Sequence, residues 1–340
     1  MSFKRLALVS AVISTLFLSS CGVSSIHVPG VSKPKAKSVL SGREGVDGPV
    51  LVVKIDDTPE AHPQIGLAAA DLVYIEEVEG GLTRLAAVFS SQIPPIVGPV
   101  RSARISDIDL LSQFGHIAFA FSGSQSKMHP VLAAANFQDL NAEHESSKIY
   151  SRDLTRNAPV NMVLNTEPLF ALIKERSFQI DVAKNMGWNF GATKSTGDAV
   201  LAAHLSWPAA SYDAKWSDAE QRWLLSHQGA ANLDSDGYQL GATTLVIQKV
   251  SITPSIYHDK AGGVTPFSQT IGSGSGYILR DGIAIHALWS RLDAQSGTKW
   301  QDTLGNEIQF APGQIWIALT DKEPLFTKPA IGSASPAPTK

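Results

Sequence analysis

A single cysteine, Cys21, is the whole thiol complement of this 340-residue chain. No intramolecular disulfide can staple the fold, and stability must come from packed cores. Charge is also sparse, at 17% of residues, and Lys plus Arg (28) do not outnumber Asp plus Glu (31). A chain without basic excess is poorly suited to neutralising a phosphate backbone, so no nucleic-acid partner is expected. Long apolar runs are missing apart from Leu6 to Leu18, which is shorter than the roughly 20 residues a spanning helix needs. The nine His residues show no His-Glu-x-x-His or comparable ligand spacing, so the sequence predicts no metal site, and any such site would need tertiary convergence. No glycine-rich loop ends in Gly-Lys-Ser/Thr, and no cofactor is expected.

What is present begins at the N-terminus. Lys4 and Arg5 precede the apolar run, which closes on Leu18-Ser19-Ser20-Cys21. A basic region, an apolar region and small residues before a Cys form a secretory signal ending in a lipobox. The expectation is a signal peptide over 1–20 and a mature chain starting at a lipidated Cys21. That chain would be exported and anchored to the outer face of the plasma membrane, with the outer membrane as the alternative. Losing residues 1–20 moves the formal net charge from −3 to −5. Residues 21–46 are rich in Ser, Pro, Lys and Gly and read as a flexible tether, and 326–340 reads as a disordered tail.

Between these ends the hydrophobic pattern changes near residue 205. Residues 47–204 alternate apolar strand-like runs (Pro49 to Ile55, Asp71 to Val78, Leu82 to Ser90, His116 to Phe121) with helical periodicity at Ser106 to Phe114, Ser126 to Ala135 and Glu167 to Arg176. Residues 205–325 carry strands separated by Gly- and Asp-rich turns, among them Gly272 to Gly276, read as a hairpin turn. The predicted fold class is an α/β or α+β N-terminal domain with a mixed sheet, followed by a smaller mostly-β C-terminal domain. A short helix at Asp198 to His204 is expected to join them.

Chemistry concentrates in the first half. Gly80-Gly81 between two strand-like runs predicts a two-residue hairpin turn that pairs Glu77 with Arg84 and Glu76 with Leu85. Glu77 and Arg84 then form a cross-strand ion pair. Glu76 falls on an apolar face with Tyr74, Val78 and Leu85, where a carboxylate needs a partner or takes up a proton. Arg101 and Arg104 follow the Gly98-Pro99 turn at i and i+3, a spacing that lets two guanidinium forks converge on a carboxylate or phosphate. The bland alternative is that they pair with Asp107 or Asp109 and lock the loop. Ser106 or Asp107 caps the helix that follows. Asp56 and Asp57 end a strand, and Arg152, Asp153, Arg156 and Asn161 form a further polar loop. Ser124-x-x-Lys127 recurs at Ser32 and Ser296 and lacks its Lys-Thr-Gly and Ser-Asp-Asn companions, which argues against a penicillin-binding or β-lactamase chemistry.

Three of these stretches, Ala70-Asp71-Leu72-Val73-Tyr74, Glu79-Gly80-Gly81-Leu82-Thr83-Arg84 and Gly98-Pro99-Val100-Arg101-Ser102-Ala103-Arg104, resemble the YerB-type family of bacterial lipoproteins. Arg152-Asp153, Arg156, Ala158-Pro159 and Asn161 are similar to the family's polar loop, and Trp289 with Pro312-Gly313-Gln314-Ile315-Trp316 to its C-terminal signature. Val160 stands where the family usually has His. The resemblance implies an exported, tethered protein with a polar cleft built from Glu79, Thr83, Arg84, Arg101 and Arg104, and it supplies no activity. The leading expectation is a lipoprotein that binds an anionic ligand, a cell-wall precursor or polymer, and assists envelope assembly. The ligand-binding candidates are Arg84, Arg101, Arg104, Thr83, Asp107, Arg152, Arg156, Asn161 and Asp56. One rival is a hydrolase or transferase with Glu76 or Glu79 as general acid/base. The other is an interaction module whose β domain docks on a membrane partner; the expected partners are an anionic envelope ligand or an envelope-synthesis protein.

Overall fold

The computed structural model describes residues 35–330. The expected signal peptide, Cys21, the tether up to residue 34 and the tail from 331 lie outside the described residues.

Strand Leu51–Asp56 is buried at every position, as is Ile315–Thr320. Such unbroken runs belong to strands covered on both faces. Both lie in one eleven-stranded mixed sheet, ordered 299–302, 283–291, 272–280, 244–249, 315–320, 72–77, 83–89, 51–56, 117–120, 137–139, with 198–199 beside 283–291. The first five strands of that order come from the second half of the chain and the last five from the first half. They meet where Leu72–Glu77 pairs in parallel with Ile315–Thr320, Leu72 opposite Ile315 and Ile75 opposite Ala318. The two segments thus have the expected characters, mixed with helices and mostly β, and they share one sheet.

A six-stranded sheet built around 202–206, 211–217 and 222–227 covers one face. Val53, Ile55, Ile75, Leu85 and Trp316 pack there with Leu205, Tyr212, Trp223 and Leu225. On the other face Val52, Tyr74, Ala86 and Val88 meet Leu110, Leu111 and Phe114 of the helical layer. The expected helices are found as Ile105–Ser112, His129–Ala133 and Thr166–Glu175. Among the described residues no helix is long and apolar enough to cross a membrane.

Several expectations are corrected. Residues 198–204 are not helical: strand Ala202–Ser206 buries Ala203 and Leu205 on alternate positions and pairs with 211–217, a period of two. The boundary at 204/205 therefore cuts a strand that belongs with the second segment. Gly272 to Gly276 is not a turn but the start of strand Gly272–Arg280. Gly274 and Gly276 serve close approach, since a Cβ on Gly276 would lie 2.1 Å from the Ile247 carbonyl oxygen and one on Gly274 2.7 Å from the Trp289 indole nitrogen. The tether reading fails for 35–46, where Leu40 is fully buried and Asp71 holds the segment, accepting from Ser41 Oγ (2.6 Å) and Arg43 Nε (3.1 Å). The tail boundary at 326 likewise interrupts strand Leu325–Thr327, which pairs with Ala202–Ser206.

Candidate functional site

The C-terminal end of strand 51–56 sets the site. The loop after Gly98-Pro99 runs alongside it, Asp56 N–H donating to Pro99 O (2.9 Å) and Arg101 N–H to Lys54 O (2.8 Å). This seats Arg101 against Asp56, with which it forms an ion pair. Across the sheet Asp56, Arg84 and Glu76 stand in one row on three adjacent strands.

That row differs by one residue from the sequence expectation. Glu79 joins Gly80 and Gly81 in the turn, and Val78 N–H donates to Leu82 O (2.8 Å), so Glu76 rather than Glu77 faces Arg84. Gly81, at φ 71°, lets Pro208 press close: a Cβ there would fall 2.4 Å from the Pro208 Cβ. The expected Glu77–Arg84 pair is thus absent, and Glu77 sits near Asp321 and Lys322, its carboxyl raised by burial and then by Asp321. Glu76 is fully buried outside the cavity, ion-paired with Lys54. Asp107 is also fully buried, accepting from Lys54 Nζ (2.8 Å) and from the Arg104 backbone N–H (2.6 Å). It caps the helix and anchors Arg104, and it does not line the cavity.

Arg84, Arg101, Arg104, Asp56, Glu79 and Thr83 do converge, on a cavity of about 450 Å³. The guanidiniums pair neither with Asp107 nor with Asp109. Arg104 gives Glu79 Oε2 two contacts, from Nε (2.8 Å) and Nη2 (2.7 Å). The hairpin of strands Ile252–His258 and Val264–Ser268 closes the cavity from the second segment, contributing His258, Asp259, Lys260 and Thr265. The Thr265 hydroxyl donates to Glu79 Oε1, and Ser268 N–H to Ser106 Oγ (3.0 Å). Both halves of the chain therefore build one cleft.

Burial alone would raise the Glu79 carboxyl, but the Arg104 charge, its hydrogen bond and that of Thr265 together hold it below its ordinary value of 4.5. A carboxyl lowered in the folded state contributes stability that is present above its unfolded value and lost as pH falls through the folded one. Wild-type stability should therefore decline below pH 4.5. In Glu79→Gln that decline should be shallower, as measured by denaturant titration across pH 3 to 7.

Arg84 is half-buried. Its Nη1 donates to Ser102 O (2.9 Å), and among the described residues no carboxylate oxygen lies within salt-bridge distance of it. Burial, then the charges of Arg104 and Arg101, lower its proton affinity by more than Asp56 and Glu79 restore. An arginine nevertheless stays charged at neutral pH.

The remaining candidates lie elsewhere. Arg156 lines a neighbouring groove of about 730 Å³, with Thr58, His62, Arg101 and Val160, and its Nη1 donates to Ala61 O (2.9 Å). Arg152 and Asn161 bond each other (2.8 Å) at the surface and line neither the cavity nor the groove.

Sequence reading also undervalued Asp57. Alternation along the strand sends it to the opposite sheet face from Asp56, where it is fully buried. There it accepts from Tyr212 OH (2.6 Å), Thr83 Oγ1 (2.5 Å) and Gln64 Nε2 (3.2 Å). His62 and His227 stack beside it, ring centroids 4.4 Å apart. The adjacent Asp56-Asp57 at a strand end was the available signal, and nothing local marks His227 as their partner.

Two family descriptions match the chain: Protein of unknown function (DUF3048) N-terminal domain over residues 39–179, and the DUF3048 C-terminal domain over 203–317. A Bacillus subtilis (strain 168) protein described as "Putative lipoprotein YerB" is 38% identical over 119 residues, 34% of this chain. The match spans 35% of that relative's own length. The crystal structure of YerB from Bacillus subtilis superposes with a TM-score of 0.73 at 20% identity, covering 86% of this chain and 100% of that one. The fold is shared with it.

Proposed function

The chain belongs to the DUF3048 family, and from that premise we propose that it is an exported lipoprotein binding an anionic envelope ligand in the cleft of Arg84, Arg101 and Arg104. The lipobox at Cys21 and the relative described as a lipoprotein support an anchor at the outer face of the plasma membrane. The ligand class is a cell-wall precursor or polymer presenting phosphate or carboxylate, and its capture serves envelope assembly.

Arg84 carries this reading. Arg101 and Arg104 are neutralised by Asp56 and Glu79, whereas among the described residues Arg84 has only a neutral carbonyl as hydrogen-bond partner, with two cationic neighbours. A charge held that way inside a cavity favours an oxyanion. Lys260 on the closing hairpin adds a cation at the cavity wall, next to Asp259. The volume suits a small headgroup rather than a whole polymer chain. The hydrolase reading with Glu76 or Glu79 as general acid is disfavoured, because the carboxyl of Glu79 is held low by Arg104 and Thr265 and Glu76 is sealed away with Lys54.

The test uses the full lipidated chain in detergent, exposed to a fractionated envelope extract, with mass spectrometry of both retained and converted molecules. Wild type should retain a phosphate- or carboxylate-bearing molecule unchanged. Arg84→Met should weaken that retention about tenfold or more, the worth of a hydrogen bond to a charged group. Equal retention by wild type and variant defeats the proposal, and conversion of the molecule would move it to the enzyme reading.

A further inference from the structure

We propose that Asp57, His62 and His227 form a binding site for a divalent transition-metal ion of the zinc class. The three come from distant parts of the chain, yet a carboxylate oxygen and one ring nitrogen from each histidine lie within 4.8 Å of one another. His62 Nε2 is 3.3 Å from Asp57 Oδ1, and His227 Nε2 is 3.9 Å from Asp57 Oδ2.

The hydrogen bonds around the cluster prepare it for a cation. His62 Nδ1 lies 3.0 Å from Asn232 Oδ1, an amide oxygen that can only accept, so the ring proton sits on Nδ1. Gln64 Nε2 approaches His62 Nε2 at 3.1 Å and, as a donor, marks that nitrogen as the one with the lone pair. With the ring neutral, that lone pair and a carboxylate oxygen lie 3.3 Å apart and a cation between them would be held by both, whereas a protonated ring would donate to the carboxylate instead. His227 supplies an independent sign. It is only 4% exposed, its Nε2 is buried without a hydrogen-bond partner among the described residues, and that atom lies 3.9 Å from the same carboxylate. A buried ring nitrogen left without a partner is costly unless something occupies the space before it.

The surroundings match the outer shell of a metal centre. Tyr212 OH and Thr83 Oγ1 hold one carboxylate oxygen each, and Asn232 fixes the His62 tautomer, the usual way in which ligands are oriented. Two imidazoles and one carboxylate suit zinc, cobalt or nickel better than calcium or magnesium. Of the three, His62 lines the 730 Å³ groove beside Arg101 and Arg156, the side from which an ion would reach the cluster. The two imidazoles are stacked at 10°. Bringing both lone pairs to about 2.0–2.1 Å from one ion requires the rings to fan apart. Binding should therefore tilt His227.

The experiment strips the full chain with a chelator and titrates it with Co(II), following visible d–d absorption, then competes with Zn(II) and counts metal per chain by elemental analysis. Wild type should bind one equivalent of Co(II), displaced by one equivalent of Zn(II). His227→Phe keeps the ring stack and removes the nitrogen, and it should weaken binding about 100-fold or more with circular dichroism unchanged. Tyr212→Phe removes only a supporting hydroxyl and should weaken binding about tenfold, which decides the matter if His227→Phe does not fold. Less than one equivalent on folded wild type overturns the proposal. So does equal affinity in wild type and whichever of the two variants folds.

Discussion

Lys54→Ala is expected to destabilise the protein by about 3–5 kcal/mol, because it strands two fully buried carboxylates. Lys54 is itself fully buried beneath the cationic cleft, and its ammonium faces Glu76 and Asp107, both also at zero exposure. Neither oxygen of Glu76 has a hydrogen bond beyond this ion pair, so removing the ammonium leaves that carboxylate with nothing. Asp107 retains the Arg104 backbone N–H and loses its counter-charge. Denaturant midpoints at constant slope measure the effect. A matched variant separates charge from packing: in Lys54→Met with Glu76→Leu the pair is replaced by apolar volume, which is commonly neutral or stabilising. Part of the loss should then be recovered, since Asp107 still lacks its counter-charge. A Lys54→Ala penalty below about 1.5 kcal/mol, or a double variant no better than the single one, would show that the pair is not what stabilises this layer.

Lys54 also shows where sequence reading stopped. A Lys inside Leu-Val-Val-Lys-Ile-Asp reads as an ordinary strand position, and its partners Glu76 and Asp107 lie on another strand and on a helix. Their meeting is a product of sheet order, which alternation alone cannot supply. The Arg101 and Arg104 spacing, by contrast, was local and pointed to a cavity that exists. The hairpin register failed by one residue for a physical reason. Two glycines suggest a two-residue turn, but Glu79 enters the turn as well, drawn to Arg104 and Thr265. That single slip exchanged the environments of Glu76 and Glu77. The stretch from 35 to 46 was misread because composition weighs an average, whereas one buried Leu40 and the Asp71 hydrogen bonds suffice to dock it.

The division of the chain into two domains was legible in pattern, since strand-and-helix alternation does give way to hairpins near residue 205. Pattern could not reveal that Ile315–Thr320 would insert between Thr244–Lys249 of its own segment and Leu72–Glu77 of the other, in parallel with both. Parallel partners need long connections, and here the connection to Leu72–Glu77 is more than half of the chain. The closing hairpin over the arginines follows from the same insertion. A cleft assembled from both segments persists only while that central seam holds.

Trp316→Ala should therefore lower the stability of both segments together, by about 3–5 kcal/mol, the range for truncating a buried tryptophan. Trp316 lies in the seam strand with no exposure and stands opposite both Val73 and Leu245. Its ring packs near Tyr212, centroids 6.2 Å apart. Its Nε1–H donates to Gln314 Oε1 (2.9 Å), and the Gln314 amide donates in turn to Leu67 O (2.7 Å) and Ala70 O (2.9 Å) in the first segment. The distribution of tryptophan makes the prediction separable, because all seven lie between residues 188 and 316. Of the remaining six, five lie in the second segment and Trp188 packs on its Phe310, so their fluorescence reports on that segment, and hydrogen exchange of strands 51–56 and 83–89 reports on the first. If the shared sheet makes one cooperative unit, both probes shift to the same new midpoint. Were the early strands to keep wild-type protection while the fluorescence transition moved, the segments would be energetically separate despite their common sheet. The cleft between them would then be lost by unfolding of the second segment alone.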